Sequence, residues 1–149
     1  MKLIKESLVQ TFSREGDDKI SSLGVGTKAK IKEWLDNYGV SDYVILHDNA
    51  IDVNDDVRIN DKSIKKLPDY IKFNNVFGCF EMDHCGLSSM IGFPNLVENF
   101  LSVMDNNLDD SSADFFPKTI GESIYISGNK FSNEFYQFLN NKFPNRSIM

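Results

Sequence analysis

One short apolar pattern recurs four times between residues 57 and 131, and it constrains the fold of this chain more than any other feature. Each copy has two apolar residues separated by one residue, and a third apolar residue follows five positions after the second. The second apolar positions are Ile59, Met82, Val103 and Ile126. Because they lie 23, 21 and 23 residues apart, the pattern indicates a stack of repeated structural units.

The spacing within each copy predicts a short strand followed by a bend. Successive side chains of a strand point to opposite faces, so the two apolar residues face the core and the residue between them faces outward. An Asn or Cys three residues after the second apolar position is typical of leucine-rich repeats, where its side chain turns inward and satisfies backbone groups freed by the bend. Here these positions hold Lys62, Cys85, Asn106 and Asn129. Three of the four match the pattern.

Several longer runs of the sequence carry a family resemblance. Residues 77–97 read FGCFEMDHCGLSSMIGFPNLV and are followed by VMDNNL and IYISGNKF. Upstream lie SLGVGTKAKIKEWLDNYGV, a strand pair that ends in AIDVNDDVRI, and KKLPDYIKFNNV. These runs span residues 22–131, and they resemble the degenerate leucine-rich-repeat proteins encoded by large T-even-type tailed bacteriophages. The resemblance implies an architecture and not a chemistry, and no catalytic residue is carried over from it.

Two places depart from the pattern of that family. Lys62 stands where an Asn or Cys is expected. Residues 109–114 read DDSSAD where a Leu-Ser-Ser-Leu-like turn is expected. We therefore expect the third turn to be looser than the others or remodelled.

The fold class that follows is an α/β repeat, a short leucine-rich-repeat-like solenoid with one strand per 21–23-residue repeat. The 149 residues divide into an N-terminal helical and hairpin cap (1–56), four repeats (57–131) and a C-terminal helical cap (132–149). A single domain over residues 1–149 is expected, because a chain of this length buries about 70% of its unfolded surface in one core.

Local signals define the N-terminal cap. Apolar residues at helical spacing predict a first helix over residues 2–12, namely Ile4, Leu8 and Phe12. Residues 13–26 read as a loop with Leu23 partly buried. A second helix is expected to be capped by Thr27 and ended by Gly39, with an apolar stripe of Ile31, Trp34, Leu35 and Tyr38. A hairpin formed by residues 43–46 and 50–53 then leads into the first repeat.

The C-terminal cap is expected to cover the last strand of the stack. Ser132 or Asn133 can cap a helix, and three apolar residues share one of its faces: Phe135, Phe138 and Leu139. Residues 144–149 are expected to be frayed, because they lie beyond the last apolar pattern.

Charge and composition exclude several classes of function. The formal net charge is −6, which argues against binding to nucleic-acid phosphates, because such affinity comes from clustered Lys and Arg. No apolar run is long enough to span a bilayer. The two cysteines match a reducing compartment. The predicted location is the cytoplasm, which under the phage resemblance is that of an infected bacterial cell.

Signals for catalysis are weak. His84 and Cys85 are adjacent, which raises the alternative of a metal site or a thiol-dependent enzyme. Adjacent residues on a bend point in different directions, and Cys85 already occupies the repeat position described above. The carboxylates of residues 48–56 lack the Gly and the terminal Glu of a calcium loop. The sequence therefore predicts a protein that is not an enzyme, with no cofactor and no metal.

The outward residues of the repeat strands form a predicted surface of three columns. The central column contains Arg58, Glu81, Ser102 and Tyr125. The first flanking column contains Asp56, Cys79, Phe100 and Ser123, and the second contains Asn60, Asp83, Met104 and Ser127. The residues predicted to contact a partner protein are Arg58, Glu81, Phe100, Met104 and Tyr125. In the alternative interpretation, Phe100 and Val103 face the core in place of Leu101 and Val103.

The function predicted from these features is a protein–protein interaction module of a phage that binds a host or phage protein through the strand-lined face. Three alternatives stay open: a virion or assembly component, a thiol-dependent enzyme, and an acidic mimic of nucleic acid. The sequence leaves the oligomeric state open.

Overall fold

The computed structural model describes residues 24–149, with two α-helices and nine short strands. The helices are α1 (Gly24–Asn37) and α2 (Asn133–Lys142). The strands are β1 (Tyr43–Ile45), β2 (Ala50–Val53), β3 (Val57–Arg58), β4 (Lys72–Val76), β5 (Phe80–Glu81), β6 (Leu96–Val97), β7 (Leu101–Ser102), β8 (Thr119–Ile120) and β9 (Ile124–Tyr125). The predicted helix over residues 2–12 and the predicted burial of Leu23 lie outside the described residues.

The strands form two sheets that stack as a short solenoid. One sheet has five strands in the order β1-β2-β4-β6-β8, and the other has four in the order β3-β5-β7-β9. All neighbours are parallel except β1 and β2. Each turn therefore adds one strand to each sheet, and the predicted repeat solenoid is confirmed at this level.

The prediction of one strand per repeat is wrong, because each turn contributes two. The repeated apolar pattern corresponds to β3, β5, β7 and β9. It does not include the strands of the five-stranded sheet. In that sheet the inward positions of successive turns are Val53, Val76, Val97 and Ile120, all buried. Polar residues or glycine occupy most of the positions beside them, and β6 and β8 are only two residues long. Such strands are too short to show the alternation that identifies a strand in a sequence.

The register of the third repeat is settled by burial. Leu101 and Val103 are both fully buried, whereas Phe100 is half-buried and points to the outer side. The alternative in which Phe100 faces the core is therefore wrong.

Aromatic side chains fill the core between turns, as Phe80 packs edge-on against Phe73 and Phe93 with ring centroids 5.2 and 4.9 Å apart.

The Asn and Cys positions bind the bends of successive turns together. The Oδ1 atom of Asn106 accepts hydrogen bonds from the backbone N–H groups of Cys85 (2.9 Å) and Leu87 (3.0 Å). Its Nδ2 group donates to the carbonyl oxygens of Met82 and Val103, both at 2.9 Å. One buried side chain thus satisfies four backbone groups in two turns, as the sequence predicts.

The same bonds recur one turn above and one turn below. Asn129 accepts from the Leu108 N–H (3.0 Å) and donates to the Val103 carbonyl (2.8 Å). The side chain of Cys85 is shorter than that of Asn, and its thiol donates to the carbonyl of Ile59 at 3.4 Å. The column therefore runs through the second, third and fourth repeats.

The first repeat, which has the exposed Lys62 at this position, is held by the N-terminal cap instead. The Tyr38 hydroxyl donates to Asp61 at 2.8 Å, and Ile31 and Leu35 are fully buried against the stack. Thr27 lies inside helix α1 (Gly24–Asn37), so the prediction that Thr27 caps this helix is wrong. Residues 24–26 of the predicted loop are helical as well, and residues 13–23 lie outside the described residues.

The end of α1 and the hairpin that follows it both match their predictions. Gly39 has a φ of 71°, and the next N–H, of Val40, bonds the Leu35 carbonyl at 2.9 Å. This is the left-handed termination that glycine favours. The hairpin is the antiparallel pair β1 and β2, with Val44 opposite Asp52.

The third turn is remodelled rather than loose. Residues Asp110–Phe115 form a 3-10 helix, and the Asp109 carboxylate accepts from the Ser111 N–H at 3.0 Å. Asp110 in turn accepts hydrogen bonds from the backbone N–H and the hydroxyl of Ser132. The acidic and serine residues that replace the usual turn therefore tie this arc to the start of α2.

Helix α2 begins at its predicted cap. The Ser132 hydroxyl accepts from the Phe135 N–H at 3.2 Å, and Phe135 and Leu139 are buried as expected. Phe138 is 40% exposed, so its predicted place on the apolar face is wrong. Phe143, just past the end of the helix, is buried instead.

The C-terminal tail (residues 147–149) is paired with the last strand, and the prediction that it is frayed is wrong. The Ile124 N–H donates to the Ser147 carbonyl at 2.8 Å, and the Met149 N–H donates back to the Ile124 carbonyl at 2.8 Å. The Arg146 guanidinium donates from Nε to the Ile120 carbonyl at 2.8 Å. The tail thus pairs the last edge of the four-stranded sheet, where unpaired backbone groups would invite association, and Arg146 satisfies one carbonyl at the last edge of the five-stranded sheet.

Neither of the two helices found in residues 24–149 has the length and apolar character that crossing a membrane requires.

Candidate functional site

The outer side of the four-stranded sheet, here called the four-strand face, carries the predicted columns. The strand registers align Arg58 with Glu81, Glu81 with Ser102, and Ser102 with Tyr125. Neighbouring members therefore lie on adjacent strands, about 4.8 Å apart. The structure places the predicted contact residues on one face: Arg58, Glu81, Phe100, Met104 and Tyr125.

A chain of side-chain contacts joins four of these residues. Arg58 Nη1 donates to Glu81 Oε1 at 2.8 Å, and the Arg58 guanidinium lies 5.6 Å from the centre of the Phe100 ring. Phe100 packs edge-on against Tyr125 with ring centroids 5.7 Å apart. The pairing of Arg58 with Glu81 is the one predicted from the sequence. Its contact with Phe100, two strands away, was not predicted.

Two small residues form the floor of the face, and sequence reasoning missed this role. Cys79 lies on β5's outer side between Asp56 and Phe100, and only 1% of it is exposed. The Arg58 side chain crosses this position to reach Phe100, which explains the burial. Ser102 is 2% exposed in the middle of the central column. The sequence could have indicated their burial, because a small residue between large ones in a column is covered by the side chains of its neighbours.

Asp83 fixes the other side of this floor. Its Oδ1 atom accepts from the Ser102 hydroxyl at 2.7 Å and from the Met104 N–H at 2.8 Å. Met104 is half-buried and lies in the second flanking column, in the same turn as Phe100 and on the other side of Ser102 along the chain. Asp83 thus holds the backbone of Met104 and the side chain of Ser102 in place beside the aromatic residues.

The residues of the thiol-enzyme alternative point in opposite directions. Cys85 is fully buried, and burial raises the pKa of its thiol. His84 has a φ of 57° and is exposed, with Nε2 3.5 Å from Oδ2 of Asp105. The thiolate is the nucleophilic form of cysteine, so this arrangement gives Cys85 no means of activation by His84.

Cys79 is also held in its protonated form. Burial raises the pKa of this thiol to about 12, and the Asp56 carboxylate adds to the rise. The Cys79 backbone N–H donates to Asp56 Oδ1 at 2.8 Å, which lowers the pKa of that carboxyl. Among residues 24–149, no three His, Cys, Asp or Glu side chains are grouped closely enough to hold a metal ion.

Both cysteines are expected to react very slowly with Ellman's reagent while the protein is folded. At about pH 8, a thiol with the pKa of Cys79 is ionised in roughly one molecule in ten thousand. The absorbance of the released thiolate measures the reaction, and unfolding in guanidinium chloride should make both thiols react at once. Fast reaction of a folded Cys85→Ser variant would show that Cys79 is accessible and contradict this assignment.

Comparison with known proteins gives this chain no relative: no family model, no curated protein and no solved structure matches it.

Proposed function

We propose that this protein is a non-enzymatic interaction module that binds another protein through the four-strand face. The observation that supports this most is the pair of half-buried Phe100 and Tyr125, which pack against each other, with half-buried Met104 beyond Ser102 on the same face and charged residues on both sides. Apolar and aromatic groups surrounded by polar residues are the usual composition of the centre of a protein interface. Among the described turns, none covers the outer side of this face, where Arg58 is exposed.

The rigidity of the face supports the same function. Binding costs less free energy when the contacting side chains are already ordered. Phe100 is held between Arg58 and Tyr125, and the backbone N–H of Met104 donates a hydrogen bond to Asp83. A partner would therefore meet a surface that needs little rearrangement.

The resemblance to small phage repeat proteins suggests where to search for the partner. We propose that the protein acts in the cytoplasm of an infected bacterium, on a host or phage protein. A virion or assembly role would use the same face with a structural phage protein as its partner. The acidic-mimic alternative differs, since it requires a partner that otherwise binds nucleic acid.

The test is an affinity pull-down from infected and uninfected bacterial lysates. The bait is the wild-type protein or a Phe100→Glu, Tyr125→Glu variant shown by circular dichroism to be folded. Aromatic residues at an interface centre are each worth about 2 kcal/mol or more when truncated. We expect the variant to lose the partner, because it also places two carboxylates against the contact.

A matched control changes two apolar residues elsewhere. Ile91 and Phe115 are 54% and 43% exposed and lie on the arcs that connect the two sheets. Ile91→Glu, Phe115→Glu adds the same charge without touching the four-strand face, and it should keep the partner. A partner retained by the first variant and lost by the control would place the binding site on the arcs and contradict the proposal.

A further inference from the structure

Nearly all the net negative charge of the described chain lies on and beside the four-strand face. Four equivalent segments build this face and its borders: residues 54–61, 77–84, 98–105 and 121–128. Together they contain eight carboxylates and one Arg, whereas the other residues from 24 to 149 contain ten carboxylates and eleven Lys and Arg. The rest of the described molecule is therefore close to neutral.

The carboxylates form two borders with the apolar group between them. One border follows the corner that joins the two sheets and contains Asp55, Asp56, Glu98 and Glu122. The other follows the ends of the strands and contains Asp61, Asp83 and Asp105. Glu81 is the remaining carboxylate and lies in the central column.

The one arginine of these segments does not offset the borders. Arg58 donates to Glu81 at 2.8 Å and to Asp56 at 3.4 Å, so its charge is already shared by two carboxylates. Glu98 and Glu122 are exposed, and within residues 24–149 neither has a Lys or Arg nitrogen in ion-pair contact. Considering residues 24–149 alone, a partner that approaches the face meets negative charge at Glu98 and Glu122 that no cation pairs.

We infer that the partner presents a basic segment in which an apolar anchor is flanked by Lys or Arg. This inference rests on the proposed function. The anchor packs against Phe100, Tyr125 and Met104, while the cations reach the two borders. The flanking columns, which hold Phe100 and Met104, are four residues apart along the chain, about 13 Å. Most of the border carboxylates lie outside these columns, so the cations stand at least two residues to either side of the anchor. Charge complementarity of this kind speeds association and selects among partners.

The test is selection from a library of random linear peptides displayed on yeast, with the folded protein as the probe. Bound sequences should be enriched in Lys and Arg around an aromatic or aliphatic residue. Their affinity should fall steeply as salt is added, because border charges near the surface are screened. Glu98→Lys, Glu122→Lys should weaken the selected peptides by roughly tenfold.

The control is Glu33→Lys, Asp114→Lys, which makes the same charge change at two exposed carboxylates outside the four segments; it should leave affinity within about twofold. Peptides that need Phe100 and Tyr125 but are neutral or acidic, and that ignore the change at Glu98 and Glu122, would overturn the inference and leave the proposed function standing. A library that yields no peptide dependent on Phe100 and Tyr125 would overturn both.

Discussion

Replacing Asn106 with alanine is expected to lower the free energy of unfolding by about 4 kcal/mol, measured by urea denaturation. The side chain makes four hydrogen bonds of 2.9–3.0 Å to backbone groups of two turns. A buried backbone group left without a partner costs about 1–3 kcal/mol. The total stays below the sum of four such costs, because a water molecule can enter the vacated space.

Two further variants show whether these bonds are the cause. Asn107 is exposed, so Asn107→Ala should change the free energy of unfolding by less than about 0.5 kcal/mol. Asn106→Asp keeps the acceptor for Cys85 and Leu87 but cannot donate to Met82 and Val103, and it should be strongly destabilised as the carboxylate ionises. Equal stability of Asn106→Ala and Asn107→Ala would show that the column does not hold the turns together.

Replacing Gly121 with alanine is expected to cost about 3 kcal/mol for a different reason. At the corner between the two sheets, a Cβ atom on Gly121 would lie 1.9 Å from the carbonyl oxygen of Glu98 in the turn below. The obstacle is backbone, so two turns must separate, and overpacking of this kind costs about 1–3 kcal/mol or more. Urea denaturation again measures the change.

Gly39→Ala is the matched control for this substitution. Gly39 has a φ of 71°, and an added Cβ would have no atom within 4 Å. Alanine there lowers the free energy of unfolding only through the left-handed backbone conformation, by about 1 kcal/mol. A Gly121→Ala variant no less stable than Gly39→Ala would mean that the corners of adjacent turns have room to move apart.

The four-stranded sheet could be predicted because side-chain type and spacing both record it. Each of its strands places two apolar residues inward, and an Asn or Cys follows at a fixed distance in three repeats. The five-stranded sheet leaves no such record. Asn74 and Asn75 interrupt the apolar pattern of β4. Asp52 accepts hydrogen bonds from the Asn74 side-chain amide at 3.1 Å and from the Asn75 backbone N–H at 3.0 Å. That compensation exists only after the turns have stacked.

The tail was missed because its pairing depends on backbone groups, which every residue has. Residues 147–149 read Ser-Ile-Met, and three residues are too few to distinguish an edge strand from a loose end.

At the candidate site, the columns followed directly from the strand register. The contact of Arg58 with Phe100 did not, because it depends on side-chain reach across an intervening strand. The acidic borders could not be predicted, because they combine carboxylates from four segments that are distant in the sequence and adjacent only in the fold.

The paired tail has a consequence for how the protein can vary in length. Residues 147–149 occupy the edge that a fifth turn would use, so the end of the array is fixed by the tail and not by the turns. Each internal turn offers the next one the same backbone edge that it receives from the turn before. Whole turns can therefore be gained or lost between the two caps without a new end piece, and the width of the binding face then changes in steps of one strand, about 4.8 Å each.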